Sequence, residues 1–340
     1  MKIFVTGGTG YIGSHTVVEL QKNGYDVIIA DNLVNSSLEV LDGIEKITGI
    51  RPEFEEIDLT DGEVTRDFFA RHSDIRAVIH FAALKAVGES VSKPLEYYFN
   101  NLNSLMNVLT CMREFKVPNL VFSSSCTVYG QADVLPVTEK TPRHEAESPY
   151  GNTKVMSEDI IRDLMRVEPD MKALALRYFN PIGAHPTAFI GELPNGVPNN
   201  LIPYLTQTAI GIREQLSVFG DDYNTPDGSP LRDYIDVVDL AQAHVVAIRR
   251  LLDGKNKKNY EFFNIGTGKA LSVLEIIHAF ERATGVKVNY KVVGRRAGDI
   301  EKVWADTTLA NNELGWKAVT PIEETLANAW KWQKSLEATN

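Results

Sequence analysis

Two cysteines in 340 residues leave little scope for sulfur chemistry. Cys111 and Cys126 show no metal-ligand spacing and are too few for a disulfide framework. Positive charge is also scarce: 35 Lys and Arg stand against 45 Asp and Glu, a net charge of −10. That balance argues against nucleic acid or an anionic membrane as the main partner. No apolar run approaches membrane-spanning length, and Met1-Lys2 leads straight into IFVTGG, so neither an anchor nor a signal peptide is expected. A reducing cytoplasm is the expected compartment. There is no internal repeat and no low-complexity segment. What is present is ordinary for a globular enzyme, 44% hydrophobic and 24% charged, and long enough for one large or two modest domains.

The chain opens on KIFVTGGTGYIGSHTVVELQKNGYDVIIADN. Residues 3–5 read as a short buried strand, YIGSHTVVEL as an amphipathic helix ended by Asn23-Gly24, and DVIIAD as a second strand. Gly7, Gly10 and Gly13 lie between strand and helix. Glycines there allow a tight turn, close approach to a pyrophosphate and tight helix packing, while free N–H groups of the helix face the phosphates. Asp31 closes the second strand, where a carboxylate can bind both hydroxyls of an adenosine ribose and would repel a 2′-phosphate. Strand, glycines, helix, strand and acid in this order predict a dinucleotide site that prefers NAD to NADP.

Further apolar segments, RAVIHFAA, NLVFSSS and KALALRYFN, alternate with helical stretches at about 61–71, 95–113 and 150–165. Alternation of this kind predicts an α/β fold, a Rossmann-type doubly wound parallel sheet with helices on both faces. Ligands gather at the carboxyl ends of such strands. Small and polar residues stand there: Gly7, Asp31, Asp58, Phe81-Ala82-Ala83, Ser123-Ser124-Ser125 and Tyr178-Phe179-Asn180. Beyond Asn180 the loops turn rich in Pro, Gly and Asn, while VDLAQAHVVAIRRLL and YEFFNIGTG read as a helix and strand returning to the first domain. The expected division is therefore 1–180 plus about 238–268 for the NAD domain. Residues 181–237 and 269–340 are expected to build a smaller, discontinuous α/β substrate lobe.

SPYGNTK, residues 148–154, carries the chemistry. Tyr150 and Lys154 stand four positions apart, one helical turn, behind a Ser-Pro helix start. A phenol titrates near 10, and a neighbouring ammonium favours the phenolate by about 1.4 kcal/mol for each pKa unit of depression. With the serine run upstream, Tyr150 reads as the base for an alcohol proton, Lys154 as its tuning cation and Ser125 as a hydrogen-bonding partner of the same oxygen.

FVTGGTGYIGSHT, HFAALKAVGES, FSSSCTVYG, SPYGNTK, RYFNPIGAHP, PNNLIPY, RDYIDVVDLA and RRAGD follow one another through nearly the whole chain. In these motifs the sequence resembles the UDP-glucose 4-epimerases, an extended branch of the short-chain dehydrogenase/reductase superfamily. The resemblance implies Ser125, Tyr150 and Lys154 as catalytic residues. It implies an NAD set of Gly7, Gly10, Tyr11, Ile12, Gly13, Asp31, Asn32, Asn35, Asp58, Leu59, Phe81, Lys85, Asn100, Tyr150, Lys154 and Phe179. For a UDP-sugar it implies Ser125, Tyr150, Asn180, Asn200, Leu201, Arg232, Tyr234, Arg296 and Asp299. The guanidinium forks of Arg232 and Arg296 suit a pyrophosphate, and Asp299 suits a ribose diol. It also implies epimerisation at carbon 4 through a 4-keto sugar, and a homodimer pairing helices near 95–113 and 150–165 into a four-helix bundle.

By position, Val303 stands where family members restricted to UDP-glucose carry Tyr. A smaller side chain there implies room for N-acetylated sugars. Three other positions depart from the usual pattern: Cys126 for Ala, Phe99 for a polar residue, and Asp236 for His. None stands on the proton path, and Cys126 reads as a packing variant. The rival within the family is a nucleotide-sugar 4,6-dehydratase or decarboxylase, which needs a carboxylate where this chain has Ser125-Cys126. A rival of another class is an NAD-binding sensor without turnover, which would have no use for the retained Tyr and Lys. No metal is expected.

Overall fold

The computed structural model describes residues 1–296 and 300–337. Seven strands form one sheet: β1 (Lys2–Thr6), β2 (Asp26–Asp31), β3 (Glu53–Glu56), β4 (Ile75–His80), β5 (Asn119–Ser123), β6 (Lys172–Tyr178) and β7 (Tyr260–Ile265). Their spatial order is β3-β2-β1-β4-β5-β6-β7, and every pairing is parallel. The fold is the expected Rossmann-type α/β arrangement. The chain runs outward from β1 to β3, then crosses back to β4 beside β1, which opens a crevice above the carboxyl ends of those two strands.

Strand residues alternate between two cores, as a period of two demands. Ile3, Val5, Ile29, Ile79, Val121 and Leu176 pack on one face with α1 (Tyr11–Lys22). Phe4, Ile28, Val78, Leu120, Phe122 and Ala175 pack on the other with α2 (Pro94–Glu114) and α3 (Pro149–Val167). Both faces are covered, so the strands read as near-continuous apolar runs. Helix α3 starts where Ser148 Oγ accepts the Gly151 N–H at 3.1 Å and Pro149 fills the first turn. Helix α4 (Val237–Leu252) packs with α1 and is capped by Asp236, whose Oδ1 accepts from Val238 N at 2.8 Å. Capping gives a physical use for an acid at position 236.

The rest of the chain builds three small sheets around a third core that includes Ile182, Leu216, Tyr234, Ile276 and Leu326. That core holds the helices Leu201–Ala209 and Val273–Thr284 and the C-terminal α5 (Ile322–Glu337). One stretch departs from the division expected at residue 269. Ala310, Leu314 and Trp316 pack into the core of the large sheet, and the Trp316 indole donates to Asp239 O at 3.0 Å. A buried indole needs an acceptor, and the first turn of α4 supplies it.

Helix α5 also anchors the long loop that follows the strand Asn180–Ile182. Lys331 Nζ donates to Pro186 O at 2.7 Å, and Trp332 Nε1 to Glu192 O at 3.0 Å. The indole lies so close that a Cβ on Gly191 would stand 2.5 Å from its ring. Gly191→Ala is expected to destabilise the protein by about 1–3 kcal/mol through overpacking. Urea denaturation checks this, and an unchanged midpoint would show that the Trp332 ring moves aside freely.

Candidate functional site

The crevice between β1 and β4 widens into a cavity of about 880 Å³ that reaches from the first turn of α1 to the strands of the smaller lobe. At one end the chain leaves β1 through Gly7, whose φ of 66° suits glycine and whose added Cβ would lie 2.8 Å from Ala82 N. A Cβ on Gly13 would strike Gly7 O at 2.2 Å, so α1 can pack this closely only with glycine there. Gly10, Tyr11, Ile12 and Gly13 expose the helix start to the cavity. Asp31, Asn32 and Asn35 line it beyond β2, and Asp58 and Leu59 beyond β3. Asp31 is fixed by the N–H of Thr9 (3.3 Å), the N–H of Leu33 (3.0 Å) and the Ser36 hydroxyl (3.3 Å). A carboxylate held at a strand end beside a bare helix N-terminus fits the ribose and phosphates of NAD.

Phe81 and Lys85 line the cavity from the loop after β4, and Asn100 from α2. Asn101 holds that loop, accepting from Leu84 N at 2.8 Å and donating to Leu84 O at 3.0 Å. Phe179 and Asn180 enter after β6. Asn200 and Leu201 enter at a helix start, Arg232 and Tyr234 from two short strands, and Arg296 from an exposed stretch at the mouth. Residues far apart in sequence are thus gathered on one wall. Asp299 lies outside the described residues.

Ser125, Tyr150 and Lys154 all line this cavity. Lys154 Nζ donates to Ser123 O at 2.7 Å and stands 5.9 Å from the centre of the Tyr150 ring. Burial pulls its ammonium down to about 8, against the opposing charge of Glu158. The Tyr150 phenol does not titrate low in this setting. Burial pushes it well above its ordinary value, the neighbouring Tyr178 and Cys126 push the same way, and the Ser125 side chain pulls it down by hydrogen bonding. The expected depression therefore has to come from charge added to the site. Desolvation wins over one cation whose own pKa is falling.

Val303 departs from its expected place. It is buried with Val128, Tyr129, Val137 and Phe179, behind the wall rather than on it. Its strand pairs with Arg232, and its cluster includes Phe179 and abuts Cys126; all three of these line the cavity. Burial pushes the Cys126 thiol up to about 12, consistent with packing rather than reactivity. Sequence reading missed Glu192, which accepts from Asn200 Nδ2 at 2.6 Å and lies 3.9 Å from Lys85 Nζ. It also missed Ser217 and Phe219 on the opposite wall. Glu192 stands in GELPNGVP, whose Pro and Gly content marks a functional loop without singling out the acid. Among the described residues no cluster of His, Cys, Asp and Glu could hold a metal ion, and no helix is long and apolar enough to cross a membrane.

The model of the NAD dependent epimerase/dehydratase family matches residues 3–266. The UDP-glucose 4-epimerase of Bacillus subtilis is 51% identical over 335 residues, spanning 98% of this chain and 97% of the relative. Among solved structures, the Stenotrophomonas maltophila UDP-glucose-4-epimerase with bound NAD and formylated UDP-arabinopyranose superposes with a TM-score of 0.96 at 46% identity, covering 100% of both chains. The Bifidobacterium longum UDP-glucose 4-epimerase, in complex with NAD+ and UDP, gives a TM-score of 0.94 at 45% identity over 98% of each chain. Half the residues shared from end to end, and a backbone that follows solved members throughout, leave one conclusion: the chain belongs to the NAD-dependent epimerase/dehydratase family.

Proposed function

We propose that the chain interconverts UDP-galactose and UDP-glucose at sugar carbon 4 through a 4-keto intermediate, retaining NAD between turnovers. One observation carries this reading. The Tyr150–Lys154 pair and Ser125 line one continuous cavity together with the glycine turn, Arg232 and Arg296. Relatives of the same length with that activity support it.

The glycine turn and Asp31 would hold the cofactor, while Arg232 and Arg296 would neutralise the pyrophosphate of the UDP-sugar. When bound, NAD supplies the two-electron acceptor for carbon 4, returns the electrons to the opposite face of the sugar, and adds positive charge to the site. Tyr150 takes the proton of the 4-hydroxyl and gives it back. Ser125 offers a hydrogen bond to the same oxygen, and Lys154 stabilises the phenolate. A 4,6-dehydratase or decarboxylase is not favoured. It needs a further acid or base at this place, and Cys126, with its thiol pushed up to about 12, provides neither. The small Val303, buried in one cluster with Phe179 of the cavity wall, would also leave room for UDP-N-acetylglucosamine and UDP-N-acetylgalactosamine.

We also propose a homodimer in a reducing cytoplasm. Leu95, Phe99 and Met106 stand exposed on α2, at 81%, 62% and 41%, and Met156 is exposed at 38% on α3. Such an apolar face on two adjacent helices is suited to a four-helix bundle with a second copy.

Three outcomes are expected. Tyr150→Phe should bind UDP normally while its turnover falls on the order of 10² to 10⁴, the usual scale for a lost general base; wild-type turnover in that variant would remove Tyr150 from the role. Lys154 supports the phenolate only while protonated. Its charge is complete below pH 7 and lost as pH rises through about 8, so kcat should decline there on the alkaline side. Lys154→Met should be slow and lack that limb, whereas an unchanged pH profile would count against the cation. Phe99→Glu should convert the dimer to monomer in sedimentation equilibrium, and a dimer unmoved by the buried charge would place the interface elsewhere.

A further inference from the structure

Three residues of α3, each one turn after the last, meet three consecutive serines at the end of β5. Tyr150 is within hydrogen-bonding influence of the Ser125 side chain. Lys154 Nζ donates to Ser123 O at 2.7 Å. Glu158 Oε1 accepts from Ser124 Oγ at 2.6 Å. The first two contacts are in the cavity; the third lies below it, with Glu158 and Ser124 both fully buried at 0% exposure. Two hydrogen bonds therefore tie the helix to the serine run, beside the approach of Tyr150 to Ser125, and the proposed chemistry uses only the upper two of the three pairs.

The lowest pair is the most tightly built. Glu158 Oε1 also accepts from Arg177 Nε at 2.8 Å, and its Oε2 accepts from Arg177 Nη2 at 2.5 Å and from Arg143 Nη2 at 2.7 Å. Arg177 comes from β6 and lies between the rings of Phe262, at 3.9 Å, and Tyr129, at 5.0 Å. Its Nη1 donates to Tyr129 Oη at 2.9 Å, and that hydroxyl donates to Asn264 Oδ1 at 2.6 Å. A bidentate guanidinium gives the carboxylate a fixed plane. Through Asn264 and Phe262 that plane is referred to β7, and through Arg177 to β6. A sliding or rolling motion of α3 against β5 would have to break these bonds.

We propose that Glu158 is a positioning residue for the reaction, setting through Ser124 the register of α3 on the serine run and serving as the counter-charge of Lys154. The inference rests on the epimerase reading above, since it takes Tyr150, Ser125 and Lys154 as the working groups. Proton transfer at Tyr150 requires its oxygen and that of Ser125 to converge on one substrate hydroxyl, and misplacement of about 1 Å can cost about 10²-fold. The charges around the pair are these. On β4, His80 is kept neutral by burial, with its pKa pulled down to about 3. On β6 there is Arg177, on the loop before α3 there is Arg143, and on β7 the Tyr260 phenol faces Glu158. On α3 itself, Asp159 takes the other end of Arg143 at 2.8 Å. Of these, Glu158 is the anion whose field opposes the loss of the Lys154 proton.

Two variants of the full-length enzyme, loaded with NAD, separate the parts. Ser124→Ala removes its hydrogen bond to Glu158 and leaves the ion pair; kcat should fall about 10- to 100-fold, with the KM for UDP-galactose and the alkaline limb unmoved. Glu158→Gln keeps the shape and removes the charge, leaving Arg177 and Arg143 without their shared carboxylate. Lys154 should then lose its proton more readily, and the alkaline limb of kcat should move down by about one pH unit. A merely structural role would lower the melting temperature of either variant without touching the limb or separating kcat from KM. If Glu158→Gln does not fold, Ser124→Ala decides: a folded Ser124→Ala enzyme with wild-type kcat overturns the proposal. If Glu158→Gln folds, an unmoved alkaline limb overturns it as well. Wild-type protein that does not turn over UDP-galactose would instead overturn the epimerase reading.

Discussion

A buried ammonium beside a half-buried phenol is the constraint around which the site is organised. Lys154 is 5% exposed and its first partner is a carbonyl oxygen rather than a carboxylate. Taking an ammonium out of water is costly, and its pKa falls unless charge is returned nearby. The fold returns that charge from a distance, one helical turn along, where Glu158 is shared with two arginines. A carboxylate placed directly against Lys154 would quench the field that Tyr150 needs. The cation is thus kept close to its useful limit, near pH 8, where a small added charge decides the protonation of its neighbours.

The same economy appears in the cavity as a whole. The sheet supplies a rigid floor, and its reversal of order between β1 and β4 leaves room above the strand ends. Loops from the smaller lobe close the cavity, and helix α5 ties them down by donating to backbone carbonyls of Pro186 and Glu192. Tyr11 joins the halves directly, donating from α1 to Gly183 O at 2.7 Å. Glu192 stands where the expected cofactor residue Lys85 and the expected substrate residue Asn200 meet, so the two expected sets share one carboxylate.

Local features were readable from the sequence because their causes are local. The glycine turn needs Gly7 for its positive φ and Gly13 for the close approach of Gly7 O six residues back, and Tyr150 and Lys154 share a face because a helix repeats every 3.6 residues. The sheet followed from alternation of apolar strands with helices. What was not readable depends on distance in sequence. The Glu158–Arg177 pair spans 19 residues and joins a helix to β6, so nothing in the local pattern of the helix singles Glu158 out. Position in the resembled motif alone puts Val303 on the pocket wall, and its burial in one cluster with Phe179 needed the fold. The upward displacement of the Tyr150 phenol follows from burial, which no spacing discloses. Trp316 crosses to the other core for the sake of one carbonyl acceptor.

The central claim is that this cavity removes and returns a hydrogen at sugar carbon 4 with a cofactor it never releases. The direct measurement is to mix purified protein with UDP-galactose, add no cofactor, and follow both sugars by anion-exchange chromatography. The account predicts an approach to the same UDP-galactose to UDP-glucose ratio from either side, with no net reduction of NAD. Protein that binds both NAD and UDP yet leaves UDP-galactose unchanged would contradict it.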